Sequence, residues 1–197
     1  MFKRSFDFVF SLLGLIVLSP LLLLIAVLIK LDSKGPTLFI QSRVGRANKD
    51  FYIVKFRTMF VESEKEGLLT LGNEDSRVTR VGYFLRKYKI DEWPQLYNVL
   101  RGDMSFVGPR PELRYYVNFY KREDLIVLSV RPGITGIASL KYRNEVELLE
   151  AADDPESYFI NVIIPDKLEH NKTYIRNRSF FFDLKIIALT IGKVLFK

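Results

Sequence analysis

Two adjacent carboxylates, Asp91 and Glu92, are the residues of this chain best suited to do chemistry. They stand just ahead of Pro94, in a stretch where Trp93, Leu96, Tyr97 and Leu100 share one helical face and Gly102 marks a stop. The pair is therefore expected at the start of a short helix over Asp91 to Leu100. Neighbouring side chains on a helix diverge by about 100°, which disfavours a shared-proton dyad. It suits separate roles at one phosphorus: a nucleophile or metal ligand beside a base or orienting group. The free N–H groups of a helix start attract anions, and Arg86, Lys87 and Lys89 add positive charge just upstream. Acidic residues at such a position also serve as ordinary caps, so the pair alone does not establish catalysis. Arg110 lies between Pro109 and Pro111, and Arg131 precedes Pro132-Gly133. Arginine on a rigid turn is arranged for bidentate phosphate contact, although rigid surface turns carry arginine for other reasons too. Together with Lys55-Phe56-Arg57 at a strand end, these residues describe a site for an anionic substrate.

Composition narrows the chemistry further. The chain has 197 residues, a formal charge of +7, one histidine and no cysteine. Zinc sites built from His and Cys lack ligands, thiolate chemistry is excluded, and a Ser-His-Asp triad could use only His170. What remains is carboxylate, arginine and lysine chemistry, with room for an oxygen-ligated Mg²⁺. The charge would suit nucleic acid, an anionic membrane surface or a phosphate-rich substrate and does not choose among them. The basic residues are spread along the chain and gathered beside its apolar run, not interleaved with aromatics as a nucleic-acid-binding face would have them.

The elements that must position these residues begin with that run, Phe8 to Ile29. As one helix it would span about 33 Å, enough to cross a bilayer. Ser19-Pro20 interrupts it, and proline is expected to kink or break a helix, with the Ser19 hydroxyl bonding a freed carbonyl. Lys3 and Arg4 precede the run, and Lys30, Lys34, Arg43, Arg46 and Lys49 follow it. A single crossing would put one basic cluster on the non-cytoplasmic side, whereas a helix that bends and returns keeps both at the cytoplasmic headgroups. Beyond it, Thr37 to Val44 and Phe51 to Met59 predict a β-hairpin closed by a basic loop. Helices are expected over Arg80 to Lys87 and Leu113 to Arg122, a helical turn and loop over Glu62 to Asn73, and an amphipathic helix over Phe180 to Phe196. The turns Gly108 to Pro111 and Arg131 to Gly136 are expected to be rigid and non-helical. The fold class is α+β: residues 1–34 form a re-entrant membrane helix broken at Ser19-Pro20, and 35–197 a catalytic domain with interfacial helices.

Several segments, taken in order, carry a resemblance. They are Lys3-Arg4-x-x-Asp7, Ser19-Pro20, Gly35-Pro36, Gln41-x-Arg43-x-Gly45, Lys55-Phe56-Arg57-Thr58-Met59, the run from Asp91 to Pro111, and Arg131-Pro132-Gly133-Ile134-Thr135-Gly136. The chain resembles the bacterial sugar transferases, the monotopic phosphoglycosyl transferases, in their minimal single-domain form. The resemblance implies transfer of a sugar-1-phosphate from a UDP-sugar to undecaprenyl phosphate, with release of UMP, as the first membrane step of a glycoconjugate or exopolysaccharide pathway. It implies Asp91 as nucleophile and Mg²⁺ contact, Glu92 as base or orienting group, and Arg86, Arg110 and Arg131 as phosphate-binding residues. It also implies a monotopic protein on the cytoplasmic face of the bacterial inner membrane, with Ser19 and Pro20 as the hairpin break, and leaves a homodimer open. The chain departs from the family pattern at Trp93, at Ile137 to Arg143 and at Asn171, which bears on the donor sugar more than on the reaction. The rival from another class is a membrane-tethered basic binding or scaffold protein without catalysis, which would not need Asp91.

Overall fold

The computed structural model describes residues 2–61, 63 and 75–195. Helix α1 (Phe2–Asp32) is the apolar run and its flanks, long and apolar enough to cross a membrane. It continues through Pro20, where the sequence led us to expect a break. The physical reason is local. Proline's missing N–H frees the carbonyl four residues back, that of Ile16, and the Ser19 hydroxyl donates to that carbonyl at 2.7 Å. Along α1 only Asp7, Ser11, Ile25 and Ile29 are buried among the described residues, so most of its apolar surface faces outward.

Both ends of α1 sit on the same body. Near its start, Arg4 donates to the carbonyls of Val99 and Leu100 at 2.6 and 2.7 Å. Asp7 accepts from the Ser105 hydroxyl and the Phe106 N–H, both at 3.2 Å. Near its end, Ile25 and Ile29 pack with Phe56 and Leu85. Arg57 ties the chain leaving the helix by donating to the Ser33 carbonyl and hydroxyl and to the Lys34 carbonyl.

The hairpin is present as expected: β1 (Leu38–Val44) pairs antiparallel with β2 (Asp50–Phe56), from Leu38 opposite Phe56 to Val44 opposite Asp50. Helix α2 (Arg80–Lys87) has the expected bounds and is capped by Thr79, whose side chain accepts from the Gly82 N–H. Helix α3 (Gln95–Arg101) ends at Gly102, whose φ of 94° favours glycine. Its apolar face is not the side that points to the core. Gln95, Asn98 and Val99 face the core, while Tyr97 is 46% exposed and Leu96 lies against α1, where a Cβ on Gly14 would stand 3.1 Å from Leu96 Cδ1. Asn98 is buried because it works as a backbone surrogate for β2, accepting from the Val54 N–H at 3.0 Å and donating to the Tyr52 carbonyl at 2.7 Å.

Residues 105–107 form a strand that sequence periodicity did not reveal: β3 (Ser105–Val107) runs parallel to β4 (Gly133–Thr135). Between β3 and β4, the helix expected over Leu113 to Arg122 shrinks to α4 (Arg114–Val117), followed by a 3₁₀ run over Arg122–Ser129. Aromatic and β-branched residues make this stretch a poor helix, and the Asp124 carboxylate, accepting from the Lys121 N–H, starts the 3₁₀ run instead. The second half is helical: α5 (Ile137–Lys141), α6 (Glu145–Glu150), α7 (Pro155–Tyr158), α8 (Ile164–Asn177) and α9 (Phe180–Leu195). Tyr116, Val127, Phe159, Ile163 and Leu168 form its core. The loop expected over Glu62 to Asn73 lies outside the described residues apart from Ser63.

Replacing Asn98 with Ala orphans two buried backbone groups of β2, at about 1–3 kcal/mol each. Thermal unfolding of Asn98→Ala in detergent is expected to fall by at least about 4 °C; an unchanged Tm would show that these bonds do not hold α3 to the hairpin.

Candidate active site

The carboxylate pair sits where α2 gives way to α3. Lys89 adopts a left-handed conformation, φ 57°, and reverses the chain into a single 3₁₀ turn over Ile90–Glu92. Trp93 and Pro94 separate this turn from α3, so Asp91 and Glu92 precede the helix instead of opening it. The turn buries both side chains.

Glu92 is held from two sides. Lys55 on β2 donates to its Oε1 at 3.1 Å, and Arg110 forms a fork with both oxygens, one contact being Nη1 to Oε2 at 3.1 Å. Period-two alternation and the hairpin register place Gln41, Arg43 and Lys55 on one face. Arg43 donates to Gln41 Oε1 and to the Pro111 carbonyl, so the same strand face that delivers Lys55 also holds the Arg110 turn.

The two carboxyls are driven in opposite directions. Burial, and then the Glu92 charge beside it, raise the Asp91 pKa above the usual carboxylate value, against Lys55, Lys89 and Arg86. Burial pushes Glu92 up too, but Arg110 and Lys55 outweigh it and hold Glu92 well below its usual value. Arg110 is held firmly protonated by Glu92, while burial lowers Lys55 and Arg86. Neighbouring carboxyls whose environments separate them in this way are suited to different roles. Asp91 Oδ1 is buried and has no hydrogen-bond partner among the described residues.

The match to known proteins is to the bacterial sugar transferase model, over residues 1–197. The chain belongs to the bacterial sugar transferase family. Relatives include a UDP-N-acetylgalactosamine-undecaprenyl-phosphate N-acetylgalactosaminephosphotransferase of Aeromonas hydrophila, 43% identical over 98% of this chain and 43% of that protein. Another is a UDP-glucose:undecaprenyl-phosphate glucose-1-phosphate transferase of Escherichia coli, 38% identical over 97% of this chain and 39% of that protein. A third, the uncharacterized sugar transferase EpsL of Bacillus subtilis, is 38% identical over 98% of this chain and 87% of its own length. The chain thus spans about two fifths of the length of the first two relatives.

The structure brings Asp91, Glu92 and Arg110 together, and Arg86 acts on Asp91 from the last turn of α2. Arg131 makes a different contact: its Nε donates to the Gly102 carbonyl at 2.7 Å, at the C-terminal end of α3. There it joins Arg4 in satisfying the last carbonyls of α3. Lys55, grouped from sequence only with its strand end, is a direct partner of Glu92. The signal that could have found it is the shared parity of Gln41, Arg43 and Lys55 across the hairpin. For magnesium, no cluster of three or more His, Cys, Asp or Glu that could hold a metal exists among the described residues. The orphaned Asp91 oxygen still fits an ion whose remaining ligands are substrate phosphates and water.

Because its pKa is raised on folding, Asp91 contributes stability that is full at low pH and lost as pH rises through its unfolded value and then its folded one. At neutral pH its charge opposes folding. Asp91→Asn should therefore melt about 2–4 °C above the parent at pH 7, the size of an effect near 1 kcal/mol, with the gain vanishing below about pH 4. A lower Tm at pH 7 would show that Asp91 is a satisfied structural carboxylate.

Proposed function

We propose that this chain transfers a sugar-1-phosphate from a UDP-sugar to undecaprenyl phosphate, with Asp91 as the covalent nucleophile. The observation that carries it is the contrast within the pair: Glu92 has every oxygen engaged by Arg110 and Lys55, while Asp91 presents a buried, unpartnered oxygen. In the first half-reaction an Asp91 oxygen attacks the β-phosphorus of the donor. The bond from that phosphorus to the bridging oxygen breaks, and UMP leaves, giving an aspartyl-phosphosugar. In the second, a phosphate oxygen of undecaprenyl phosphate attacks the same phosphorus and returns Asp91 as a carboxylate. The names of the relatives, which act on UDP-sugars and undecaprenyl phosphate, support this substrate pair.

Each neighbour has a defined part. Glu92, held ionised by two cations, is suited to orienting Arg110 and Lys55 and poorly suited to taking a proton at neutral pH. Arg110 and Lys55 lie where charge develops on the transferred phosphoryl group, and Arg86 balances the Asp91 charge. Asp91 would hold Mg²⁺ together with donor phosphate oxygens, and the ion would neutralise charge on the diphosphate.

The placement we propose is monotopic, on the cytoplasmic face of the bacterial inner membrane. Helix α1 dips into the bilayer, bends near Ser19-Pro20 and returns. Support comes from the seating of both its ends on one body, and from the basic residues at each end, Lys3 and Arg4 against Lys30 and Lys34. Cysteine is absent from the chain, so single-cysteine variants at Phe2 and Lys34 report topology directly. Both should label from the cytoplasmic side of sealed vesicles; labelling from opposite sides would establish a spanning helix.

The reaction is tested by UMP release from a panel of UDP-sugars with Mg²⁺ and undecaprenyl phosphate in nanodiscs. Asp91→Asn should lose at least about 10⁴-fold in kcat, and Arg110→Lys about 10²–10³-fold, because a single ammonium cannot reproduce the fork. Full turnover by Asp91→Asn would overturn the nucleophile assignment.

A further inference from the structure

We infer that Lys167 is a positioning residue for Arg110, acting through Glu112. This rests on the proposed role of Arg110 at the donor phosphate. The Lys167 ammonium, on α8, is 3.2 Å from Glu112 Oε1 and 2.5 Å from Glu145 Oε2, and stands 4.9 Å from the ring centre of Phe159. It is nearly enclosed, with 8% of its surface exposed. A buried ammonium with two carboxylates and an aromatic face has little freedom to rearrange.

Glu112 is the receiving end. Its carbonyl accepts from the Val44 N–H at 3.0 Å, and its other carboxylate oxygen lies 3.9 Å from the Arg43 guanidinium, which also binds the Pro111 carbonyl. On the other side of Arg110, the Pro109 carbonyl accepts from the Gly133 N–H at 2.9 Å. Two prolines flank Arg110, so two φ angles are fixed and the conformations of the residues before them are restricted. A displacement at Glu112 therefore has few soft dihedrals in which to dissipate before it moves Arg110. Losing the Lys167 charge would also leave Glu112 and Glu145 sharing a buried region with one cation fewer, drawing Arg43 and Arg110 toward them and away from Glu92.

The charge states agree with this geometry. Burial raises Glu112, but Lys167 and Arg43 outweigh it and hold it ionised. Burial lowers Lys167, but Glu112 and Glu145 outweigh it and keep it protonated. The result is two ion-paired groups, Lys55–Glu92–Arg110 and Glu112–Lys167–Glu145 on α6, coupled by the mutual attraction of the Arg110 and Glu112 charges. Together they connect the second, helical half of the chain to the carboxylate pair.

The experiment measures kcat and donor KM from UMP release in nanodiscs, with emission from Trp93, the one tryptophan, as a readout independent of turnover. Lys167→Met should lower kcat about 10–100-fold with little change in KM, and Lys167→Arg should restore most of it. In an Arg110→Ala background, Lys167→Met should cost almost nothing further, because its route to the site is gone. Trp93 emission should shift in Lys167→Met. Lys172→Met, which removes ion pairs to Asp124 and Glu169 from the same helix, should shift neither emission nor kcat. Equal losses from Lys167→Met with and without Arg110, or unchanged Trp93 emission, would overturn the inference. If the parent releases no UMP from any donor, the transferase proposal falls, and the emission arm alone decides the positioning claim.

Discussion

The burial of Glu92 is the constraint on which the site depends. A carboxylate removed from water costs several kcal/mol unless it is paired and hydrogen-bonded. Here the compensation comes from two cations on unrelated segments: Lys55 on the hairpin and Arg110 on a proline-bounded turn. Each needs support of its own. Lys55 is positioned by the register of β1 and β2, and the Arg110 turn by Arg43 and the backbone of Val44 on the same hairpin. With Glu92 so engaged, its neighbour is left without equivalent partners, and the 3₁₀ turn keeps that neighbour buried. The reactivity assigned to Asp91 is thus a by-product of how completely Glu92 is satisfied.

How much of this was legible in the sequence depends on how local its cause is. The hairpin and α2 were readable because alternation, capping and stop residues act over a few positions. Strands β3 and β4 were not, since three-residue strands paired across more than twenty intervening residues leave no periodic trace. Arg110 and Arg131 looked alike in sequence, each beside a proline on a turn. A rigid turn guarantees that a side chain is presented but says nothing about what it faces, and one arginine meets Glu92 while the other meets Gly102. Lys55 was visible only as part of a strand end, because its importance comes from sharing a face with Arg43.

The reversed helix α3 shows a limit of another kind. An apolar stripe is ordinarily the core-facing side of a helix. In α3 the core side is Gln95, Asn98 and Val99, and the stripe of Trp93, Leu96, Tyr97 and Leu100 turns toward α1 and outward. The rule assumes water on the far side. Beside a long apolar helix that is itself mostly unburied, the outward side is apolar as well, and polar residues move inward wherever a strand needs hydrogen bonds. Asn98 does so, completing the hydrogen bonds of β2 from the core side of α3.

That reversal also explains why the site lies where it does. Helix α3 has the carboxylate turn at its start, Arg4 of the apolar helix and Arg131 at its end, and α1 along its apolar side. Seven residues thereby join the charge cluster to the long apolar helix, over about 10 Å. The proposed reaction, between a soluble nucleotide sugar and a lipid-borne phosphate, would need both environments at one phosphorus. On the proposed membrane placement, a helix with its polar side buried in the domain and its apolar side on α1 would put Asp91 at their boundary. Rotating α3 by half a turn would give a more conventional core, and would detach the pair from the hairpin that charges it.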